Sequence, residues 1–218
     1  MDSYGATPRT QVRRLPKRAS YDKPVVHSIL DQGFICHVGF ALEAQPYVIP
    51  TVYARADATL YVHGSAVSRM LRTLAHGVPV CITVTLLDAL VLARSAFNHS
   101  INYRSVVMLG TARLVDDAEE KLRALQLITN HVVPGRWEQV RAPNQLELRQ
   151  TSVLALPLDE VSAKIRTGPP LDDEADYALP VWGGLVPLET RLGAPISDAR
   201  VLAGVAGIDL TRITRASG

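Results

Sequence analysis

Cysteine is scarce. Only Cys36 and Cys81 occur in 218 residues, with no CxxC pair and no histidine at metal-ligand spacing beside either, which excludes a disulfide framework and a zinc site. Both sit in apolar runs and read as buried thiols. Long hydrophobic runs are missing as well: no stretch approaches the roughly 18 apolar residues of a membrane span, and the opening MDSYGATPRT has no apolar leader segment. A reducing cytoplasm, with no membrane attachment, is therefore expected. Charge of one sign is lacking too. Lys and Arg number 23 against 21 Asp and Glu, a formal +2, which argues against nucleic acid as a partner. The one basic run, Arg9, Arg13, Arg14, Lys17 and Arg18, reads as a solvated arm. Finally, there is no GxSxG, Walker A loop, GxGxxG or HExxH, so neither covalent nor metal hydrolysis is supported and no catalytic residue is assigned.

What is present is a composition able to build a core, 47% hydrophobic and 20% charged, in a chain of a length that suits one fairly large domain. Residues 1–20 are unpatterned and read as a flexible arm that orders only against the rest of the protein. Asp22 followed by Pro24 opens a short helix over 23–31, with Val25, Val26, Ile29 and Leu30 on one face and Gly33 beyond its end. The runs FICHVGFAL and PYVIPTVYA are β-rich and separated by a polar break, so they read as a hairpin, followed by a third strand, TLYVH. Val67, Met70, Leu71 and Leu74 then repeat at helical spacing, with Ser65 as the expected cap and Gly77 closing the element.

The nearly all-apolar run 78–88 reads as a strand buried on both faces, which ALVLARS continues or pairs with. Residues 102–115 read as one long strand in which Gly110 marks a bulge or a close backbone approach. Asp116 or Asp117 caps a helix with Leu122, Leu125, Leu127, Ile128 and Val132 on its apolar face. Residues 135–150 look irregular with one helical turn, and TSVLALPLD and VSAKIRT are two further strands. Many antiparallel strands with short helices favour a closed or partly closed β-barrel. The divisions expected are the arm 1–20, a barrel domain 21–188 and an extension 189–218, with an apolar island at 179–188 that docks back.

Two segments carry groups suited to an anion. In Tyr61-Val-His63-Gly64-Ser65-Ala-Val-Ser68-Arg69, a strand ends at a glycine and a hydroxyl-rich turn leads into a helix whose first turn holds an arginine. The bland alternative is an ordinary serine cap with a solvated arginine. In Asn102-Tyr103-Arg104-Ser105, Tyr103 and Ser105 share one strand face and Arg104 takes the other. Alone, that arginine reads better as a surface side chain reaching solvent.

HGSAVSRML, ARSAFNHSINYRSVVMLGTARLV, AKIRTGPP and PVWGGLVPL resemble, in order and spacing, the pyridoxamine 5′-phosphate oxidase-like flavoproteins. The likeness is strongest to their bacterial flavin-nucleotide-binding branch, which includes nitroimidazole-resistance proteins, and it spans about 20–190. It implies an FMN-binding split barrel, mainly β with short helices, forming a homodimer with FMN at the subunit interface. Residue by residue, it implies phosphate contacts from Ser68 and Arg69 with Gly64 and Ser65, and a ring-flanking strand at Val48, Ile49, Pro50, Thr51 and Val52. Further flavin contacts are implied for Tyr103, Arg104, Ser105 and Trp182. His63 is a candidate flavin neighbour. His99 is open between a proton donor and a histidine that merely braces its loop. Met70 replaces the lysine that follows the arginine in the oxidase itself, and its pyridoxal-phosphate-binding set has no counterpart, so vitamin B6 oxidation is not expected. The expectation is an FMN-dependent reductase or oxidase of a small molecule; the alternative is a flavin or heme carrier without turnover.

Overall fold

A computed structural model describes residues 2–213; Met1 of the expected arm and the last five residues of the expected extension lie outside the described residues. The chain order is β1 (Ala19–Ser20), α1 (Lys23–Gln32), β2 (Ile35–Leu42), β3 (Gln45–Ala56), β4 (Thr59–Ser65), α2 (Arg69–Ala75) and β5 (Pro79–Leu92). There follow β6 (Ser100–Thr111), β7 (Arg113–Leu114), α3 (Ala118–Val132), α4 (Gln145–Gln150), β8 (Thr151–Pro157), β9 (Glu160–Arg166) and β10 (Gly184–Pro187). All pairings are antiparallel, in the order β1-β9-β6-β5-β2-β3-β4-β8-β7, with β10 added to β5. Because β7 directly continues β6 yet pairs with β8, the sheet curls back on itself and closes as a barrel.

The main core fills this barrel with Val38 and Phe40 from β2, Tyr53 from β3, Val80, Ile82 and Val84 from β5, Met108 from β6 and Leu154 and Leu156 from β8. Helix α1 closes over it with Val26, Ile29 and Leu30. The turn from α1 into β2 admits only glycine at position 33, where a Cβ would meet the Tyr53 hydroxyl and Val84 Cγ1 at 2.6 Å. There the Tyr53 hydroxyl donates to the Leu30 carbonyl at 2.6 Å and His131 Nε2 donates to the Gly33 carbonyl at 2.7 Å, joining α1, β3 and α3. Asp117 caps α3 by accepting from the Glu120 amide at 2.7 Å. A smaller apolar cluster of Val115, Ala124, Val153 and Ala155 lies under α3.

Three expectations need correction. Ser65 is the last residue of β4, and Ser68 occupies the cap position of α2 without a side-chain hydrogen bond. β5 is buried on one face only: Val80, Ile82 and Val84 point inward while Cys81 and Thr83 are half-buried and Thr85 is exposed. The strand expected over 102–115 breaks at Ala112, because the chain there changes partner from β5 and β9 to β8. Gly110 does mark a close approach, its Cβ position lying 2.9 Å from Leu156 Cδ1. Gly110 itself pairs in register with Val80, and the register slip lies at the other end of the β5–β6 pair, at Asp88 opposite Asn102 and Tyr103. Residues 1–20 lie along the body, with Thr7 and Arg9 bonded to Glu160 and Ala19–Ser20 paired to β9. The apolar island contributes β10, and no described helix is long and apolar enough to cross a membrane.

Candidate functional site

Helix α2 presents Arg69, Arg72 and His76 at three- and seven-residue offsets, so one exposed side of the helix and its cap carries all three. The opposite side, Met70, Leu71, Thr73 and Leu74, is buried, which fixes the orientation of the basic row. Arg69 lies 4.4 Å above the centroid of the Tyr47 ring, and Tyr47 in turn stacks on Phe40 at 5.4 Å and 19°. A cation held on a fixed aromatic plate keeps its in-plane N–H groups free for another acceptor. Leu42, Val67, Arg69, Arg72, Thr73 and His76 line a cavity of about 360 Å³. Among the described residues, neither arginine has a carboxylate within ion-pair distance.

Tyr47 belongs to the first half of β3, which also holds Val48, Ile49, Pro50, Thr51 and Val52. Over 45–52 this strand pairs with β2 alone, since β4 joins only from Tyr53 onward. Pro46 and Pro50 are tolerated because this stretch is an edge. The open edge leaves main-chain groups for a ligand beside the basic row.

Gly64, one residue before the end of β4, faces α2, where a Cβ would come within 3.1 Å of Leu71 Cδ1. The Ser65 carbonyl accepts from the Ser68 amide at 2.9 Å and its hydroxyl accepts from Val67 at 3.4 Å, forming the turn into α2. His63 takes the other side of β4. It shares that side with Tyr61, whose hydroxyl donates to Glu120 of α3 at 3.0 Å. His63 lines a second cavity, of about 400 Å³, with Leu125, Thr129, Trp137, Arg141 and Thr151. Its Nδ1 is buried without a hydrogen-bond partner, and burial pushes its pKa below the ordinary 6.5.

Tyr103, Arg104 and Ser105 sit elsewhere. Arg104 pairs across the sheet with Leu86 of β5, six residues beyond Val80, which faces Phe40 and through it Tyr47. That offset is about 20 Å of strand. The Arg104 guanidinium is engaged, bidentate to Asp88 at 2.8 and 3.1 Å with a third bond to Gln32 Oε1 at 2.9 Å. Ser105 Oγ donates to the Lys164 carbonyl at 3.2 Å. His99 caps a short turn, its Nδ1 donating to the Ser95 carbonyl at 2.9 Å. Trp182 is 64% exposed, its ring lying over Gly184. Within one chain, then, the structure groups Arg69 with Gly64, Ser65, Ser68 and the β3 edge, and sets Tyr103, Arg104, Ser105 and His63 apart from it. Sequence reasoning missed Arg72, His76 and Tyr47; the first two were signalled by their spacing from Arg69.

A curled antiparallel barrel, mainly β with short helices, defines the molecule as a split β-barrel. The chain belongs to the pyridoxamine 5′-phosphate oxidase family, whose model matches residues 22–165. Among solved structures, it is similar to the flavocytochrome Anf3 from Azotobacter vinelandii, with 40% identity, TM-score 0.87, and 94% of this chain and 95% of that chain covered. It is also similar to an FAD and heme binding protein from Mycobacterium smegmatis, with 34% identity, TM-score 0.85, and 90% and 96% covered. A candidate 5-nitroimidazole antibiotic resistance protein from Bacteroides thetaiotaomicron matches at 28% identity, TM-score 0.56, over 67% and 86%. No curated protein matches.

Proposed function

We propose that this chain binds a flavin nucleotide with its phosphate end on the basic side of α2. The observation that carries the reading is the set Arg69, Arg72 and His76 around a cavity of about 360 Å³, with Arg69 held on Tyr47 and the unpaired edge of β3 beside them. FMN is what the sequence resemblance implies. The basic row runs along about 10 Å of helix, long enough for a diphosphate, and with FAD named for the Mycobacterium smegmatis relative we assign FAD. When bound, the isoalloxazine supplies the electron or hydride transfer; the chain anchors and orients it.

The activity proposed is reduction or oxidation of a small molecule. A homodimer is supported by the exposed apolar row Ile101, Leu90 and Val186, directly opposed across β6, β5 and β10, which a second copy would cover. The 20 Å offset within one chain also makes a second copy the simplest source of Tyr103, Arg104, Ser105 and Trp182 for a flavin held at Arg69. The two unpaired thiols support a cytoplasmic location.

Heme is proposed as a second ligand. It is named for the Mycobacterium smegmatis relative, and the orphaned His63 nitrogen beside a separate cavity offers a donor suited to it. The test is the visible spectrum of the purified protein, with the mass of the flavin released on denaturation. FAD is expected; released FMN would restore the monophosphate reading, and a colourless protein that takes up neither nucleotide would end the flavin reading. Oxidation of reduced nicotinamide with candidate acceptors then separates an enzyme from a carrier.

A further inference from the structure

Of the six histidines, three are already hydrogen-bonded. His27 bonds the Tyr4 hydroxyl at 2.7 Å, His99 the Ser95 carbonyl and His131 the Gly33 carbonyl. His37 is exposed on β2, and His76 belongs to the basic side of α2. Neither thiol competes as a soft ligand, since burial raises both pKa values, that of Cys36 to about 12. His63 differs from all of these. No described residue bonds either ring nitrogen, Nδ1 is buried, and the ring borders a cavity on the α3 side of β4, away from α2. A buried imidazole without a partner is an unfavourable arrangement unless another group fills its valence. Burial keeps the ring neutral, and the neutral ring carries the lone pair that a metal ion needs.

The walls offer a flat macrocycle both apolar and polar surface. Leu125, Trp137 and Pro143 supply apolar surface, Thr129 and Thr151 supply hydroxyls, and Arg141 with its partner Glu147 at 2.5 Å completes the wall with a charged pair. We infer that His63 is the protein ligand to heme iron, in the cavity bounded by α3, α4 and β4, separate from the flavin face of α2. This rests on the heme half of the reading above.

The experiment is hemin titration of the full-length protein, freed of tetrapyrrole, followed by its Soret band, for the native chain, His63→Ala and His63→Gln. The native chain is expected to form a stoichiometric complex. Both variants should weaken it by at least about tenfold, the scale on which even outer partners of metal ligands act. Imidazole added to His63→Ala should restore the native band position. Flavin uptake by both variants reports that the barrel is folded, and His63→Gln keeps the comparison available should alanine unfold the chain. Native affinity and an unchanged band in the variants would overturn the ligand assignment and leave heme binding standing. A native chain that takes up flavin but no hemin would overturn the heme reading and this assignment together.

Discussion

Replacing Arg69 by alanine is expected to weaken flavin binding about ten- to thirtyfold and to leave the fold almost untouched. The side chain is exposed and has no carboxylate partner among the described residues, so the native state loses only its contact with Tyr47 at 4.4 Å. At an exposed position that contact is worth about 0.5–1 kcal/mol. A charge-assisted hydrogen bond to phosphate contributes ~1.5–3 kcal/mol, and screening at an open site places Arg69 at the lower end. With each 1.4 kcal/mol equal to about a factor of ten, 1.5–2 kcal/mol gives the stated range. The assay is fluorescence titration of flavin-free protein with FMN and with FAD, at low and high salt. The variant should also show a weaker salt dependence, because one counter-charge is gone. Arg113→Ala serves as the control, since that side chain pairs with Glu120 on α3 and should leave Kd unchanged. Equal Kd values for the native chain and Arg69→Ala, for both nucleotides, would refute the placement of the phosphate.

Substituting Arg72 and His76 together by alanine is expected to weaken FAD more than FMN in the same titration. Gly33→Ala should destabilise the fold by about 1–3 kcal/mol through overpacking, seen as a lower Tm, because the new methyl group collides with Tyr53 and Val84. Stability should also fall as pH drops below about 6.5. Burial lowers the pKa of His63 and of His27 in the folded state, so the unfolded chain takes up the proton first. Their contribution is complete above 6.5 and is lost as pH falls towards the folded values. His63→Gln should flatten the denaturation midpoint against pH across that window. A second loss is expected below about 4.5, where Glu147, held at about 2 by Arg141 and the Asn144 amide, and Glu160, held low by Arg9 and Thr7, take up protons.

The elements legible in the sequence were those whose pattern is local. Helix α1 was visible in the spacing of Val26, Ile29 and Leu30 after Pro24, and the β2–β3 hairpin in its two β-rich runs. Elements set by distant partners were not. β1 and β10 are two and four residues long and exist only through pairing with β9 and β5. The break at Ala112 has no residue signal, because the pairing partner changes while the residue character does not. Apolar residues on both sides of β5 suggested burial on both, yet Leu87 and Leu90 are exposed. The same division holds at the site. Arg69 and its turn were legible, whereas the Tyr47 plate and the Asp88 clamp on Arg104 arise from tertiary contacts that no spacing encodes.

The return of the chain to β5 has a protective consequence. On the side of β5 away from β6, β2 reaches only Val80–Thr83, and the far end is covered by Gly184–Pro187 running back along Leu92–Ala89. Asp172 pins that return by accepting from the Arg94 and Ser95 amides and from the Arg94 guanidinium. A chain cut after Pro169 would bare a strand end rich in leucine and valine, ready to recruit a neighbour's strand. The C-terminal segment thus sheaths that strand edge against edge-to-edge aggregation while leaving the sheet face free, and its loss should show first as turbidity before any loss of the barrel.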